Sequence, residues 1–424
     1  MATTYPSAAL PSVRALDSTF VRSQFPGLDQ GWTLFDNAGG SVPLRGVIDA
    51  ISEHMSRFPV QLGASYELSQ TASQRVEAGR HAIATLIGAE PSEILLTAST
   101  TASMNLLARA LESQVQAGDE IIVTDLDHET NVAPWKRLAE RTGATLKVWQ
   151  LQPESMSLDM EDLEKLLGER TRLLAMTHCS NLAGEILDVR RAAELAHRVG
   201  ARVVVDGVAY APHRRIDVRA LGCDFYGFST YKTYGPHVGV LWGKKELLEG
   251  LDAQNHPFIS ALPSKLEPGG VNYELASSLP AIIDYLLALE AHHAGAKKET
   301  SADETSARLD RAFGIIVNHE EQLTHRLLDY LAGHAKVRIR GLETAERHRR
   351  VPTISFTVDG HRSQDIPPQL DLHRLAVRWG HFYAPRAVRA LGLPEDDGIV
   401  RVSMVHYNTL DEVDRLIEAL DSVL

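Results

Sequence analysis

The sequence predicts an α/β protein: a doubly wound, mostly parallel sheet followed by a smaller α+β domain. Three observations support this. Apolar runs of four to six residues, rich in Val, Ile and Leu, alternate with longer amphipathic stretches as far as Gly270. That is the pattern of strands buried on both faces with helices between them. Beyond Gly270 the alternation gives way to a helical stretch, a polar run and shorter mixed segments. The chain has 424 residues, 44% of them hydrophobic, which suffices for more than one core.

The elements follow in order. "EILLT" (93–97) precedes the amphipathic "TASMNLLARALES", and "EIIVT" (120–124) precedes "ETNVAPWKRLAERTG". "RLLAMTH" (172–178) precedes "DVRRAAELAHRVG", and "ARVVVDG" (201–207) follows. Two further strands are expected at Asp224–Phe228 and Val238–Trp242. "NYELASSLPAIIDYLLALEAHHAG" reads as helix, and "AKKETSADETSAR" (296–308) as an exposed loop or linker. The strand-like runs "KVRIRG", "TISFTV", "LAVRWG" and "IVRVSM" then alternate with helical segments. The final "TLDEVDRLIEALDSVL" is an amphipathic helix, with Thr409 and Glu412 spaced as a capping box. The expected organisation is an N-terminal segment (1–30) packing on the small domain, a large domain (31–270), a connecting helix and polar loop (271–310), and the small domain (311–424).

Composition narrows the function. A net charge of −12, without runs of Lys and Arg interleaved with aromatics, argues against nucleic acid. No apolar run approaches bilayer length, and the start has neither the basic nor the apolar region of a signal peptide. The two cysteines, Cys179 and Cys223, make no disulfide framework and suit a reducing compartment. No CxxC, clustered Cys/His or HExxH pattern suggests a metal. A soluble cytoplasmic protein without membrane or nucleic-acid partners is the expectation.

Ligands of open α/β sheets bind beyond the C-terminal ends of the strands, and four groups of polar residues fall there. Ser99, Thr100 and Thr101 follow "EILLT" and open a helix, where hydroxyls, N–H groups and the helix dipole favour a phosphate. An ordinary N-cap accounts for them as well. His128 follows "EIIVTDLD" and either stacks on a planar ligand or faces solvent. Asp206 ends a buried Val run and needs a partner, such as a protonated ring nitrogen, unless it serves a turn. Lys232, beside Ser229, is a nucleophile toward an aldehyde if desolvated, or a snorkelling surface lysine. Together, in this order, they describe a pyridoxal phosphate site: phosphate cradle, stacking group, carboxylate for the pyridinium nitrogen, and lysine for the aldehyde.

The motifs "FDNAGG", "TASTTASMN", "DLDHETNVAPW", "THCSNLAGEILDV", "VVVDGVAY", "CDFYGFSTYKTYGPHVGVLW" and "VRVSMVHYNT" carry a resemblance over nearly the whole chain. The sequence resembles class V aminotransferase-like pyridoxal phosphate enzymes, and within them the cysteine desulfurase-like group. The resemblance implies a fold-type I homodimer with active sites at the dimer interface. It implies that Lys232 carries the cofactor and removes the substrate's α-proton, that Asp206 pairs with the ring nitrogen, and that His128 stacks on the ring. Thr100, Thr101 and Ser229 then hold the phosphate, Asn181 lies beside cofactor and substrate, and Arg401 binds the α-carboxylate.

Four departures stand out. Ala209 replaces a Gln that bonds the cofactor hydroxyl, and Tyr231 replaces a His, with a hydroxyl still able to reach the phosphate. Gly270, in "EPGG", replaces a Thr that reaches the partner's phosphate, leaving only a backbone N–H. In "RWGHFYAPR" (378–386), Tyr383 stands where sulfur-mobilising members carry their persulfide Cys. The resemblance therefore implies an amino-acid enzyme of the subgroup lacking that cysteine, a C–S lyase or related Cα/Cβ chemistry on a cysteine-derived substrate. Tyr383, with His381 and Phe382, is expected on the substrate side, as a proton donor or as a wall. Arg378 is expected to bind a second acidic group, and Arg386 shares its loop. An aminotransferase, a desulfurase with another sulfur acceptor, and a silent scaffold remain alternatives.

Overall fold

The structure, a computed structural model, describes residues 15–294 and 302–424. Residues 1–14 of the expected N-terminal segment and residues 295–301, which take in the start of the expected polar loop, lie outside the described residues.

Seven strands form the central sheet: β1 (Ile94–Thr97), β2 (Glu120–Thr124), β3 (Thr145–Trp149), β4 (Thr171–Thr177), β5 (Arg202–Asp206), β6 (Phe225–Ser229) and β7 (Gly239–Gly243). Their spatial order is β1-β7-β6-β5-β4-β2-β3. From β6 to β3 all neighbours run parallel, whereas β7 is antiparallel to both β6 and β1. The cause is local: only about ten residues separate the starts of the β6–β7 connection and β7, too few for a parallel crossover. Both faces are buried, so successive residues enter opposite layers. Ile121 and Val123 pack with Leu95 and Val204 on one side; Ile122 packs with Leu96, Val203 and Val205 on the other.

Among the described residues, eight longer helices accompany the sheets: α1 (Arg45–Arg57), α2 (Glu67–Ile87), α3 (Thr100–Ala110), α4 (Ala133–Thr142), α5 (Val189–Arg198), α6 (Pro280–Ala294), α7 (Ala302–Gly333) and α8 (Leu410–Val423). Met104 and Leu107 of α3 and Trp135 and Leu138 of α4 cover one face of the central sheet. Val76 and Ile83 of α2 and Ala192 and Ala196 of α5 cover the other. The sheet is doubly wound, as the alternation predicts.

The C-terminal sheet contains β8 (Val337–Arg340), β9 (Thr353–Val358), β10 (Arg378–Gly380) and β11 (Ile399–Ser403), in the order β8-β9-β11-β10 and antiparallel throughout. Ile354, Phe356, Val400 and Val402 pack against Leu327 and Leu331 of α7 and Leu416 and Leu420 of α8. The capping box opens α8: Glu412 N–H donates to Thr409 Oγ1 (3.2 Å), and Thr409 N–H donates to Glu412 Oε2 (3.1 Å). Near the N-terminus, Arg22 donates to Tyr407 O (2.9 Å) and Glu412 Oε1 (2.8 Å), and Asp17 N–H donates to His293 of α6 (2.9 Å).

Two expectations need correction, and one strand was not expected. Residues 302–308 are helical rather than loop, because they begin α7, whose Arg308 and Arg311 both donate to Glu290 of α6 (2.9 and 2.8 Å). "LAVRWG" is not one strand: Leu375–Ala376 pairs parallel with Thr33–Leu34, and Arg378–Gly380 pairs with β11. The edge strand β3 escapes the reading of apolar runs because it lies at the sheet's margin and only Trp149 is fully buried.

The long helix α7 reaches the large domain through one buried carboxylate. Glu320, fully buried, accepts from Arg214 Nη1 (2.9 Å), and its other oxygen lies 2.9 Å from His213 Nδ1. Removing one partner of a buried pair leaves the other charge uncompensated. Glu320→Ala is expected to lower the unfolding free energy by about 3–5 kcal/mol, read from urea denaturation with an unchanged slope. A loss within the ordinary range of a surface pair would contradict this account.

Candidate active site

The C-terminal ends of β1, β2, β4, β5 and β6 open into one cleft. Each strand delivers polar groups to it. After β1, Ser99 caps α3, accepting from Ala102 N–H (3.2 Å), and Thr100 and Thr101 form the first helical turn. Thr100 Oγ1 lies 2.6 Å from Ser229 Oγ at the end of β6, and Thr101 Oγ1 lies 2.7 Å from Thr130 Oγ1. Two hydroxyl pairs therefore surround the N-terminus of an eleven-residue helix.

Lys232 lies in the β6–β7 connection and is 8% exposed. Burial, with Arg401 nearby, pushes its ammonium down to about 8, against the opposing pull of Asp206 and Asp36. Asp206 ends β5, and its Oδ1 accepts from Val208 N–H (2.9 Å). Burial raises its carboxyl to about 6, with Val208 N–H and Lys232 limiting the rise. His128 follows β2, and its Nδ1 accepts from Thr130 N–H (3.0 Å), which leaves the ring proton on Nε2. Burial first, then Lys232, Arg401 and His381, lower its pKa to about 4, so the ring is neutral.

The small domain brings Arg401, Arg378 and Tyr383 to the same region, against Asp36 and Asn181 of the large domain. Arg401 on β11 is buried, donating from Nη2 to Asp36 Oδ1 (2.8 Å) and from Nη1 to Asn181 O (3.1 Å). Asn181 donates from Nδ2 to Phe382 O (2.9 Å). Arg378 is cross-strand from Arg401 and reaches Asp36 Oδ2 at 3.3 Å, but its side chain is half-exposed. Such a pair contributes at most about 1 kcal/mol, so Arg378 is held loosely. Tyr383 is 64% exposed, with its ring 5.2 Å from that of His128. Tyr383 O accepts from Glu129 N–H (2.7 Å), and Arg386 pairs with the Glu129 carboxylate.

The structure thus gathers Thr100, Thr101, His128, Asn181, Asp206, Ser229, Tyr231 and Lys232 around one cleft, with Arg401, Arg378 and Tyr383 on its small-domain side. Tyr231 is stacked on His237 (4.6 Å, 7°) with its ring 5.8 Å from Lys232 Nζ. Gly270 is not brought there; it borders a separate surface cleft with Leu96, Arg109 and His237. Ala209 lines the main cleft, and no side chain extends from it toward a cofactor hydroxyl. Cys179 borders the cleft too, but its Sγ lies 3.4 Å from Gly184 O, and burial raises its thiol far above the usual range. Cys223 is equally buried, just before β6, with its thiol likewise raised.

Two acids escaped the sequence reading. Asp36 joins both arginines; its one signal was an acid ending the apolar run before "NAGG". Asp127 is fully buried, accepting at Oδ1 from Asn131 Nδ2 (2.8 Å) and at Oδ2 from Thr177 N–H (3.2 Å) and from Thr124. Burial raises it to about 8 despite these donors, and Asp206 adds to the rise.

This donor set fits pyridoxal phosphate. Hydroxyls and N–H groups at a helix start suit a dianion, a buried carboxylate with one oxygen committed to a backbone N–H suits a protonated ring nitrogen, and a desolvated lysine suits the aldehyde.

Comparison with known proteins agrees. The family profile described as aminotransferase class-V matches residues 33–318 and 311–416. The chain is 40% identical over 415 residues to an aminotransferase-like protein of Gibberella zeae, covering 95% of this chain and 98% of that one. It is 33% identical over 429 residues to a cysteine desulfurase-like protein of Aspergillus flavus, covering 98% and 93% respectively. A cysteine desulfurase from Thermococcus onnurineus superimposes with a TM-score of 0.84 at 28% identity, covering 98% of this chain and 99% of that one.

Aldehyde capture requires a neutral amine. Lys232 loses its proton as pH rises through about 8, while Asp206 is already ionised above about 6. Stripped protein mixed with pyridoxal phosphate should therefore develop its absorbance at a rate that climbs about tenfold per pH unit below 8 and levels off above it. A flat profile would show that Lys232 titrates elsewhere.

Proposed function

The chain belongs to the class V aminotransferase family, and from that premise we propose that this pyridoxal phosphate-dependent enzyme performs C–S lyase or other Cα/Cβ chemistry on a cysteine-derived α-amino acid, without a protein persulfide. The observation that carries the proposal is the placement of sulfur. Both cysteines are fully buried, and the Cys179 thiol is turned toward Gly184 O. Tyr383, which on the family resemblance stands where a persulfide cysteine would, is exposed. A phenol does not accept a sulfane sulfur, so any sulfur removed passes to a group outside this chain.

When bound, the cofactor supplies an aldehyde for the substrate amine and a ring that withdraws electrons from Cα. In this reading Thr100, Thr101, Ser229 and Tyr231 hold its phosphate, and Asp206 keeps the proton on its ring nitrogen. Arg401 binds the α-carboxylate in a dry setting where a guanidinium is strongest. Lys232, with its pKa lowered to about 8, takes the α-proton near neutral pH. His128 stacks on the ring and presents its Nε2–H toward the departing group. Tyr383 donates from the solvent side, and Arg378, loosely held, meets a second acidic group where the substrate has one. We also read the protein as a homodimer, with Gly270 on the face toward the partner.

Three outcomes follow. The Cys179→Ser, Cys223→Ser double variant should keep at least about half of its product-forming rate with the best substrate of an amino-acid panel, followed by absorbance and mass spectrometry, because surface-remote or buried thiols are inert. Loss of product with loss of thiol would restore the persulfide route. A shift to the pyridoxamine spectrum, without pyruvate, alanine or sulfide, would favour an aminotransferase. Lys232→Ala should cut turnover about 10²–10⁴-fold, the range of a general base. Arg401→Lys should chiefly raise KM, about tenfold, since an ammonium cannot replace the planar fork.

A further inference from the structure

We propose that Phe382 is a displaceable cover over Arg401, sealing the carboxylate anchor in the free enzyme until the segment Gly380–Ala384 shifts. The inference rests on Arg401 being the carboxylate anchor, as proposed above. Its ligand is the carboxylate of an amino acid.

Four observations converge. Arg401 is 2% exposed, although an anchor must meet a ligand arriving from solvent. What covers it is the Phe382 ring, whose centroid lies 3.8 Å from the guanidinium carbon, a face-on contact. Asp36 and Asn181 O take the two terminal nitrogens, while Arg401 Nε is buried and has no hydrogen-bond acceptor among the described residues. A buried N–H donor beside a cationic centre is matched by an anionic oxygen.

The fourth observation concerns the segment itself. Phe382 (φ 48°) and Tyr383 (φ 60°) are consecutive non-glycine residues in the left-handed region, a strained arrangement that surrounding contacts must hold. The buried Phe382 ring packs within the core cluster, and three hydrogen bonds hold the main chain. Asn181 Nδ2 donates to Phe382 O (2.9 Å), Glu129 N–H donates to Tyr383 O (2.7 Å), and Tyr383 N–H donates to His381 Nδ1 (3.0 Å). The Tyr383 side chain adds little anchorage, being mostly exposed. Gly380 (φ 124°) begins the segment with a conformation other residues avoid, a natural hinge. Substrate binding thus exchanges a cation–π contact and a strained turn for a charge-assisted hydrogen bond at Nε. Arg378, already half-exposed, lies with its guanidinium carbon 5.8 Å from the same ring.

Arginine modification tests this on the holoenzyme. Phenylglyoxal labelling followed by peptide mapping should mark Arg378 readily and Arg401 at least about tenfold more slowly. In Phe382→Ala, Arg401 labelling should rise about tenfold or more, while Arg350, 2% exposed and far from the loop in sequence, stays unlabelled as the control for folding. If Arg350 also labels in that variant, Phe382→Leu, which keeps apolar bulk without a flat face, takes its place and should give the same ordering. Arg401 labelling as fast as Arg378 in the unaltered enzyme, or no acceleration in a folded variant, overturns the cover. L-cysteine added as the carboxylate probe should protect Arg401 in Phe382→Ala. Acceleration without protection would leave the cover standing and remove Arg401 as the anchor.

Discussion

The site depends on one residue of the central sheet, Gly239. It pairs with Thr97 of β1 on one side and Ser229 of β6 on the other. That double register brings the start of α3 against the end of β6, so the Thr100 and Ser229 hydroxyls meet at 2.6 Å. The packing leaves no room for a side chain: a Cβ on Gly239 would lie 2.3 Å from the Ser99 carbonyl carbon. Because β7 enters antiparallel, its connection to β6 is short, and Lys232 is confined to that connection. The Thr100–Ser229 hydroxyl pair and Lys232 are thus fixed relative to each other by sheet register rather than by loop contacts. A change at Gly239 would disturb both at once.

Burial then differentiates the charges. It disfavours every ion in the cleft, lowering Lys232 and His128 and raising Asp206 and Asp127. The two acids separate because their surroundings differ. Asp206 stops at about 6, with Val208 N–H and Lys232 favouring its anion. Asp127 reaches about 8, where the charge on Asp206 works against a second anion. Near neutral pH Asp206 is therefore a carboxylate, the buried Asp127 behind it a neutral carboxyl group, and His128 a neutral imidazole. An acid able to keep a ring nitrogen protonated stands beside a structural acid that ties β2 to β4 through Thr124 and Thr177.

Much of this was legible in the sequence, for a physical reason. A parallel sheet buried on both faces writes its strands as apolar runs, and its ligand groups must follow those runs, so Thr100, His128, Asp206 and Lys232 stood out by position. The groups that were missed depend on contacts distant in sequence. Asp36 acquires its place only when the N-terminal run packs beside β11, 365 positions from its Arg401 partner. The helical start of α7 is fixed by Glu290 of α6, across a stretch whose own composition reads as polar loop. "LAVRWG" divides because its two ends join different sheets, one with Thr33–Leu34 and one with β11. Gly270 stands apart from the cleft within one chain, where a motif alone could not place it.

The segment Arg378–Arg386 explains how such a scaffold can change its chemistry. Its main chain serves the site directly: Phe382 O receives the Asn181 amide, and Tyr383 O receives Glu129 N–H. The side chain at position 383 meanwhile lies mostly in solvent, on the rim beside His128. Backbone contacts hold the loop whatever that side chain is, within what a left-handed φ tolerates. A cysteine or a tyrosine there leaves the cradle, Asp206 and Lys232 undisturbed, because none of them touches the position. The cleft side chains and the side chain at position 383 are therefore carried by different parts of the molecule, the first by the central sheet and the second by a rim loop of the small domain.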